Sequence, residues 1–259
     1  MNKEQWNAFC TFKTEFKQKC CEWQKNFEQL KSLQAEAAKK DTPDYPVENP
    51  VVYNTSLDEI TEKDEIKLIV IGDNPGKNEQ LNKNKKYLVG QAGKIADGFF
   101  KKNPSLGVDF RKNVIILNKT PVHTAKTGHL KYLIKNGGNQ IEQLILESQI
   151  WMAERTAWLH QSFISASGNV DGNSRTMEVW LVGYSELKKG GLFLPYKEAF
   201  LQSYTGNNEA WNKVKVFQHF SMNRFSIDLN EFIAKNKTNS LIQAIDKLGE
   251  QHKKEIFIS

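Results

Sequence analysis

The sequence predicts an α/β fold: a three-layer αβα arrangement around a central, mostly four-stranded parallel sheet. Two observations carry that prediction. Four short apolar, β-rich runs stand far apart in the chain: IKLIVI (66–71), NVIIL (113–117), MEVWLV (177–182) and KVKVF (213–217). The stretches between them have helical periodicity, and strands alternating with helices define a parallel sheet covered on both faces.

Residues 3–38 read as one long helix. Phe12, Phe16, Cys20, Trp23, Phe27 and Leu30 recur at steps of three and four, a single apolar stripe. It is too short and too aromatic for a coiled coil and is expected to pack on the main domain. DTPDYPVENP (41–50), with three prolines, is a linker crossing the surface. QAGKIADGFF (91–100) places Ile95 and Phe99 on one helix face. Ile141 to Phe163 is a longer amphipathic segment through Leu144, Ser148, Trp151 and Trp158. PYKEAFLQSY (195–204) opens on Pro195 at a helix start. TNSLIQAIDKLGE (238–250) has Ser240 as a cap and Gly249 as its expected terminator. SASGNVDGNSRT (165–176) and GNNE (206–209) read as polar loops. The expected organisation is one domain over 1–259, with 1–40 a helical extension and 41–65 a linker packing on the core.

Composition is that of a globular protein, with 39% hydrophobic and 25% charged residues in 259. No apolar run approaches a membrane span, and MNKEQWNAFC holds no signal-peptide core, so a cytoplasmic, membrane-free setting is expected. Cys10, Cys20 and Cys21 have no metal-ligand spacing. Cys10 and Cys21 on one straight helix lie roughly 16 Å apart, too far for a disulfide. Free thiols are therefore expected. His123, His129, His160 and His252 also show no metal spacing, and neither GxGxxG nor a Walker sequence occurs, so no metal and no cofactor are expected. The net charge of +6 suits a polyanionic partner. Its lysines come in small groups, among them Lys83, Lys85 and Lys86, then Lys188 and Lys189.

In parallel sheets ligands bind at the carboxyl ends of strands. Three of the four strand ends deliver polar groups. The first is followed by Gly72-Asp73-Asn74-Pro75-Gly76, the second by Asn118-Lys119-Thr120-Pro121, and the fourth by His219-Phe220-Ser221-Met222-Asn223-Arg224. Three such ends on one sheet edge make a pocket.

This set resembles the uracil-DNA glycosylase superfamily from Ile66 to Ile227, in the same order. GDNPG is similar to the first active-site motif, with an Asn-Pro-Gly closest to the single-strand-selective and mismatch-specific branches. YLVGQAGKIADGFF (87–100) is similar to the segment of the iron–sulfur branch that carries the base-stacking aromatic ring. LNKTP resembles the Asn-x-x-Pro of the single-strand-selective branch, and HFSMNR the His-Pro-Ser-Pro motif with its following wedge.

The resemblance implies hydrolysis of the N-glycosidic bond of uracil or a related deaminated base in DNA, by a monomer. Asn74 would orient the attacking water, with Asp73 the alternative base. Asn118 would read the base edge. His219 would donate to the departing O2, and Gly72, Tyr87 and Leu88 would line the base pocket. Ser221 and the backbone at Pro75 and Gly76 would grip phosphates, while Asn223 takes the wedge position beside Arg224. The chain departs from the pattern in four places. Leu88 aligns with the stacking aromatic, with Tyr87 adjacent. Both prolines of the histidine motif are replaced. The wedge position holds polar Asn223, which favours single strands or mismatches over intact duplex. The cluster cysteines are absent. Lys119 is expected to diverge from Asn118, so hydrolysis without strand cleavage is expected. Two other readings stand beside this one: a glycosylase-like fold that binds nucleic acid or a protein without chemistry, and an unrelated α/β enzyme acting on a small nucleotide or phosphorylated metabolite.

Overall fold

A computed structural model describes residues 1–25, 29–167 and 177–258. Phe27 and most of the polar loop expected at 165–176 lie outside them. The predicted class is the observed one. Four parallel strands, β1 (Leu68–Gly72), β2 (Val114–Asn118), β3 (Glu178–Val182) and β4 (Val214–Phe217), form one sheet in the order β2-β1-β3-β4. The registers Gly72↔Asn118 and Val182↔Phe217 bring the carboxyl ends to one level. The order reverses direction after β2, so right-handed crossovers place the connecting helices on opposite faces.

Helices α1 (Lys3–Lys25) and α2 (Gln29–Ala38) occupy the span expected as one helix. Phe12, Phe16 and Trp23 of α1 pack around Trp151, with ring centroids 6.2, 5.8 and 5.9 Å away. Trp151 belongs to α5 (Gly138–Ala166), which follows the short α4 (Leu130–Asn136). On the other face α3 (Gln91–Lys102) and α8 (Arg224–Asn236) meet the sheet through Trp180, whose ring lies 5.5 Å from Phe100 and 5.8 Å from Phe225. Of the α3 residues, Gly93, Ala96 and Phe100 are buried, while Ile95 and Phe99 are half-buried at the edge of that face. Between β3 and β4 run α6 (Leu194–Ser203) and α7 (Asn208–Asn212), so GNNE is partly helix, capped by Asn207.

Gly249 does not terminate a helix. It lies inside α9 (Leu241–Phe257), where an added Cβ would stand 2.7 Å from Phe217 and 2.8 Å from Lys215. The glycine admits close approach of α9 to β4. Ser240 caps α9 as expected, accepting from the Gln243 N–H.

The proline-rich segment is bound along its length. Gln80 accepts from the N–H groups of Glu48 and Asn49 and donates to the Pro46 carbonyl at 2.8 Å. Gln34 of α2 donates to the carbonyls of Pro50 and His123. The segment is thereby tied both to the residues after GDNPG and to those after β2. No helix among the described residues is long and apolar enough to cross a membrane.

Candidate functional site

The turn after β1 begins at Gly72. A Cβ there would lie 2.5 Å from Asn118 Oδ1, so the glycine is what lets the Asn118 amide lie across the strand end. Asn118 is buried, and among the described residues its Nδ2 has no hydrogen-bond partner. A buried donor left unpaired costs roughly 1–3 kcal/mol, which a ligand acceptor would recover.

Asp73 and Lys119 meet behind that amide. Lys119 is fully buried, and its Nζ donates to Asp73 Oδ1 at 2.6 Å and to the Val182 carbonyl at 2.5 Å. It also sits 4.9 Å from the centre of the Phe193 ring. Gly183, with φ +94°, makes the room: a Cβ there would stand 2.2 Å from Asp73 Oδ1 and 3.0 Å from Lys119 Nζ. Burial pushes the Lys119 ammonium below its ordinary value, and Asp73 opposes that shift. Sequence reasoning foresaw the divergence from Asn118 but not the destination. The register supplies the missing signal, because Gly72 pairs with Asn118 and so places Asp73 beside Lys119.

Asn74 is half-buried and oriented. Its Nδ2 donates to Thr124 Oγ1 at 2.8 Å and to the Val122 carbonyl at 3.2 Å. Among the described residues no donor engages its Oδ1. Pro75 is held by His123, whose Nδ1–H donates to the Pro75 carbonyl at 2.8 Å. Its Nε2 must then accept, and the Tyr45 hydroxyl donates to it at 3.0 Å. Burial lowers His123 to about 4. The sequence left this histidine unassigned; it is a neutral strut for the turn. His129, also unassigned, lies 2.9 Å from Asp41.

The expected base floor is not presented. Tyr87 is buried, its hydroxyl donating to the Val52 carbonyl at 2.5 Å and its N–H to Asn54. It borders a cleft of about 500 Å³ shared with Lys86, Arg111, Val114 and Ile116, none of them at the carboxyl end of a strand. Leu88 is buried with φ +49°, and its carbonyl accepts from Arg111 Nη2 at 2.7 Å. Gly93 is required beneath it, since a Cβ would overlap the Leu88 carbonyl. The organiser of this segment is Glu79, which the sequence reading missed. Its carboxylate accepts from the Gly76 N–H at 3.0 Å and feels the backbone N–H groups of Leu88, Val89 and Gly90, which ties the GDNPG turn to the start of α3. Burial raises it to about 7, and those four N–H groups oppose the shift.

At the end of β4, His219 is half-buried. The Ser221 N–H donates to its Nδ1 at 3.1 Å, and the Ser221 hydroxyl lies 2.8 Å from the same atom. A backbone N–H can only donate, so Nδ1 is the acceptor and the neutral ring carries its proton on Nε2. Burial lowers the imidazole, Lys119 lowers it further and Asp73 raises it. Phe220 replaces the motif proline as a buried anchor, 4.9 Å from the Phe225 ring. Met222 and Asn223 are both left-handed, with φ +52° and +55°, and Met222 is 79% exposed at the loop tip. Asn223 and Arg224 are exposed beside it.

The backbone grip on phosphate expected at Pro75, Gly76 and Ser221 is not available as drawn. Proline has no N–H, the Gly76 N–H is bound to Glu79, and the Ser221 N–H is bound to His219. The side chains supply charge instead. Loops leaving the carboxyl ends carry Lys77, Lys83, Lys85, Lys86, Lys126, Lys188 and Lys189, followed by Arg224. Of these, Lys86 pairs with Glu59 and Lys126 with Asp41. The acids of the same loops are engaged: Asp73 with Lys119, Glu79 with backbone amides and Glu186 with the Leu192 N–H. Among the described residues, loops entering the amino ends set four acids, Glu62, Asp64, Glu65 and Asp109, against five bases, Lys63, Lys67, Arg111, Lys112 and Lys213.

Fold and site define a class: an α/β protein with a polar, positively ringed cluster at the carboxyl edge of a parallel sheet. No protein-family model, curated protein or solved structure matches the chain.

Proposed function

We propose that the protein is a monofunctional DNA glycosylase that removes uracil or a related deaminated base. The observation that carries this reading is the buried, unpartnered Nδ2 of Asn118. It is a donor held ready at the depth where the edge of an extruded base would arrive. In this reading it donates to O4, and the Asn118 carbonyl accepts from N3–H, a pair of bonds cytosine would not match. Asn74 Oδ1 orients the water, its amide nitrogen being already engaged. The Nε2–H of His219 donates to O2 as the glycosidic bond breaks, a preorganised contribution of about 3 kcal/mol. The imidazole stays neutral because its environment lowers its proton affinity.

The basic loops supply attraction for the DNA backbone, which is salt-sensitive by nature. Met222 revises the wedge. An exposed thioether side chain stands where polar Asn223 was expected to act, and it is suited to fill the space a flipped nucleotide leaves. Single strands and mismatched duplex remain the expected substrates in this reading.

The test is incubation with single-stranded and mismatched oligonucleotides carrying uracil, hypoxanthine or xanthine, followed by alkaline cleavage. Absence of abasic product from every substrate would sink the proposal. The enclosure of Tyr87 and Leu88 favours a second reading, nucleic-acid binding without chemistry. Tight, salt-dependent binding with no turnover would support it.

A further inference from the structure

Lys119 is a fully buried titratable group that the reaction above does not use. From its own position after β2, its ammonium touches two other strand ends: that of β1, through Asp73 and the Gly72 carbonyl at 3.4 Å, and that of β3, through the Val182 carbonyl. We propose that Lys119 is a positioning residue that fixes Asp73 as its counter-ion, withdraws Asp73 from service as a base, and so leaves the water to Asn74.

Asp73 has one oxygen bound by the ammonium ion, and its side chain is 10% exposed. If Asp73 took a proton from water, Lys119 would remain as a buried cation facing two carbonyls and an aromatic ring, and uncompensated buried charge is strongly disfavoured. The pair is neutral as a unit only while Asp73 stays ionised. Asn74 is free of that constraint, because its anchored Nδ2 and open Oδ1 do not change charge. The pair also acts on His219, where the two charges oppose one another. Gly183 is the residue that allows this arrangement, with no side chain to displace the carboxylate.

This inference rests on the glycosylase reading for the water, but its test has two readouts that need no substrate. The variants are Asp73→Asn, Lys119→Met and the two combined, in the full chain. Each single variant is expected to lower the urea midpoint, and the double variant to recover most of the loss, since replacing both partners of a buried pair is far less costly than removing one. By NMR, the His219 imidazole is expected to titrate lower in Asp73→Asn than in the wild type, and the double variant to return toward the wild-type value. Uracil excision by the double variant should exceed that of Asp73→Asn. A double variant that regains stability yet stays about 100-fold or more below wild type, as when a general base is removed, overturns the proposal. So does a His219 titration unmoved in Asp73→Asn. If the wild type excises nothing, the glycosylase reading fails while the stability cycle and the titration still decide the pairing.

Discussion

Lys119 and Asp73 form a buried ion pair, Nζ to Oδ1 2.6 Å, in space that Gly183 leaves open at φ +94°. Gly183→Ala adds a methyl group into the carboxylate and forces an alanine into a left-handed backbone. The expected cost is about 3 kcal/mol, from strain and overlap together. Urea unfolding measures it, and an unchanged midpoint would show that the turn after β3 does not confine the pair.

Stability should depend on pH in a way that separates two buried groups near the GDNPG turn. His123 titrates at about 4 in the fold against 6.5 for a free histidine. The native state therefore binds fewer protons between those values. Its contribution is present above pH 6.5 and is lost as pH falls toward 4, a change of about 3 kcal/mol. His160, also lowered to about 4, has the same sign. Glu79, raised from 4.5 to about 7, works in the opposite direction: its contribution is present below pH 4.5 and is lost as pH rises through 7. His123→Asn should lose less stability than the wild type on acidification. Glu79→Gln should gain on the wild type as pH rises from about 5 to about 8. Parallel stability–pH curves for wild type and either variant would contradict that assignment.

The loop after β4 makes a prediction about substrate form. Met222→Ala should weaken excision from mismatched duplex more than from single strands, because only a duplex leaves a stack to refill. Asn223→Ala should change both about equally. Rates on the two substrates give the ratio, and an equal loss on both for Met222→Ala would remove its wedge role.

The strands were legible because their apolar runs are continuous and well separated, and the ends of β1, β2 and β4 followed directly. What escaped the reading were contacts between residues distant in the chain. Glu79 looks like one more charge in a polar stretch, and only the folded loop brings the N–H groups of Leu88, Val89 and Gly90 onto it. Tyr87 is expected from the sequence to line the base pocket, but Val52, which holds its hydroxyl, lies 35 residues earlier. Helix α8 was hidden because it starts at Arg224, the last residue of the stretch read as a motif. Gly249 was read by the rule for helix ends, whereas its use is the close packing of α9 on Phe217.

The proposed reaction turns on His219, held by Ser221 with its proton on Nε2, and on the open amide of Asn118. The most direct measurement is single-turnover excision of uracil from a single-stranded oligonucleotide by the wild type, His219→Ala and Asn118→Ala. Abasic product from the wild type, with each variant slower by about 100-fold or more, is the predicted result. No product from the wild type, or variants as fast as it, would contradict the account.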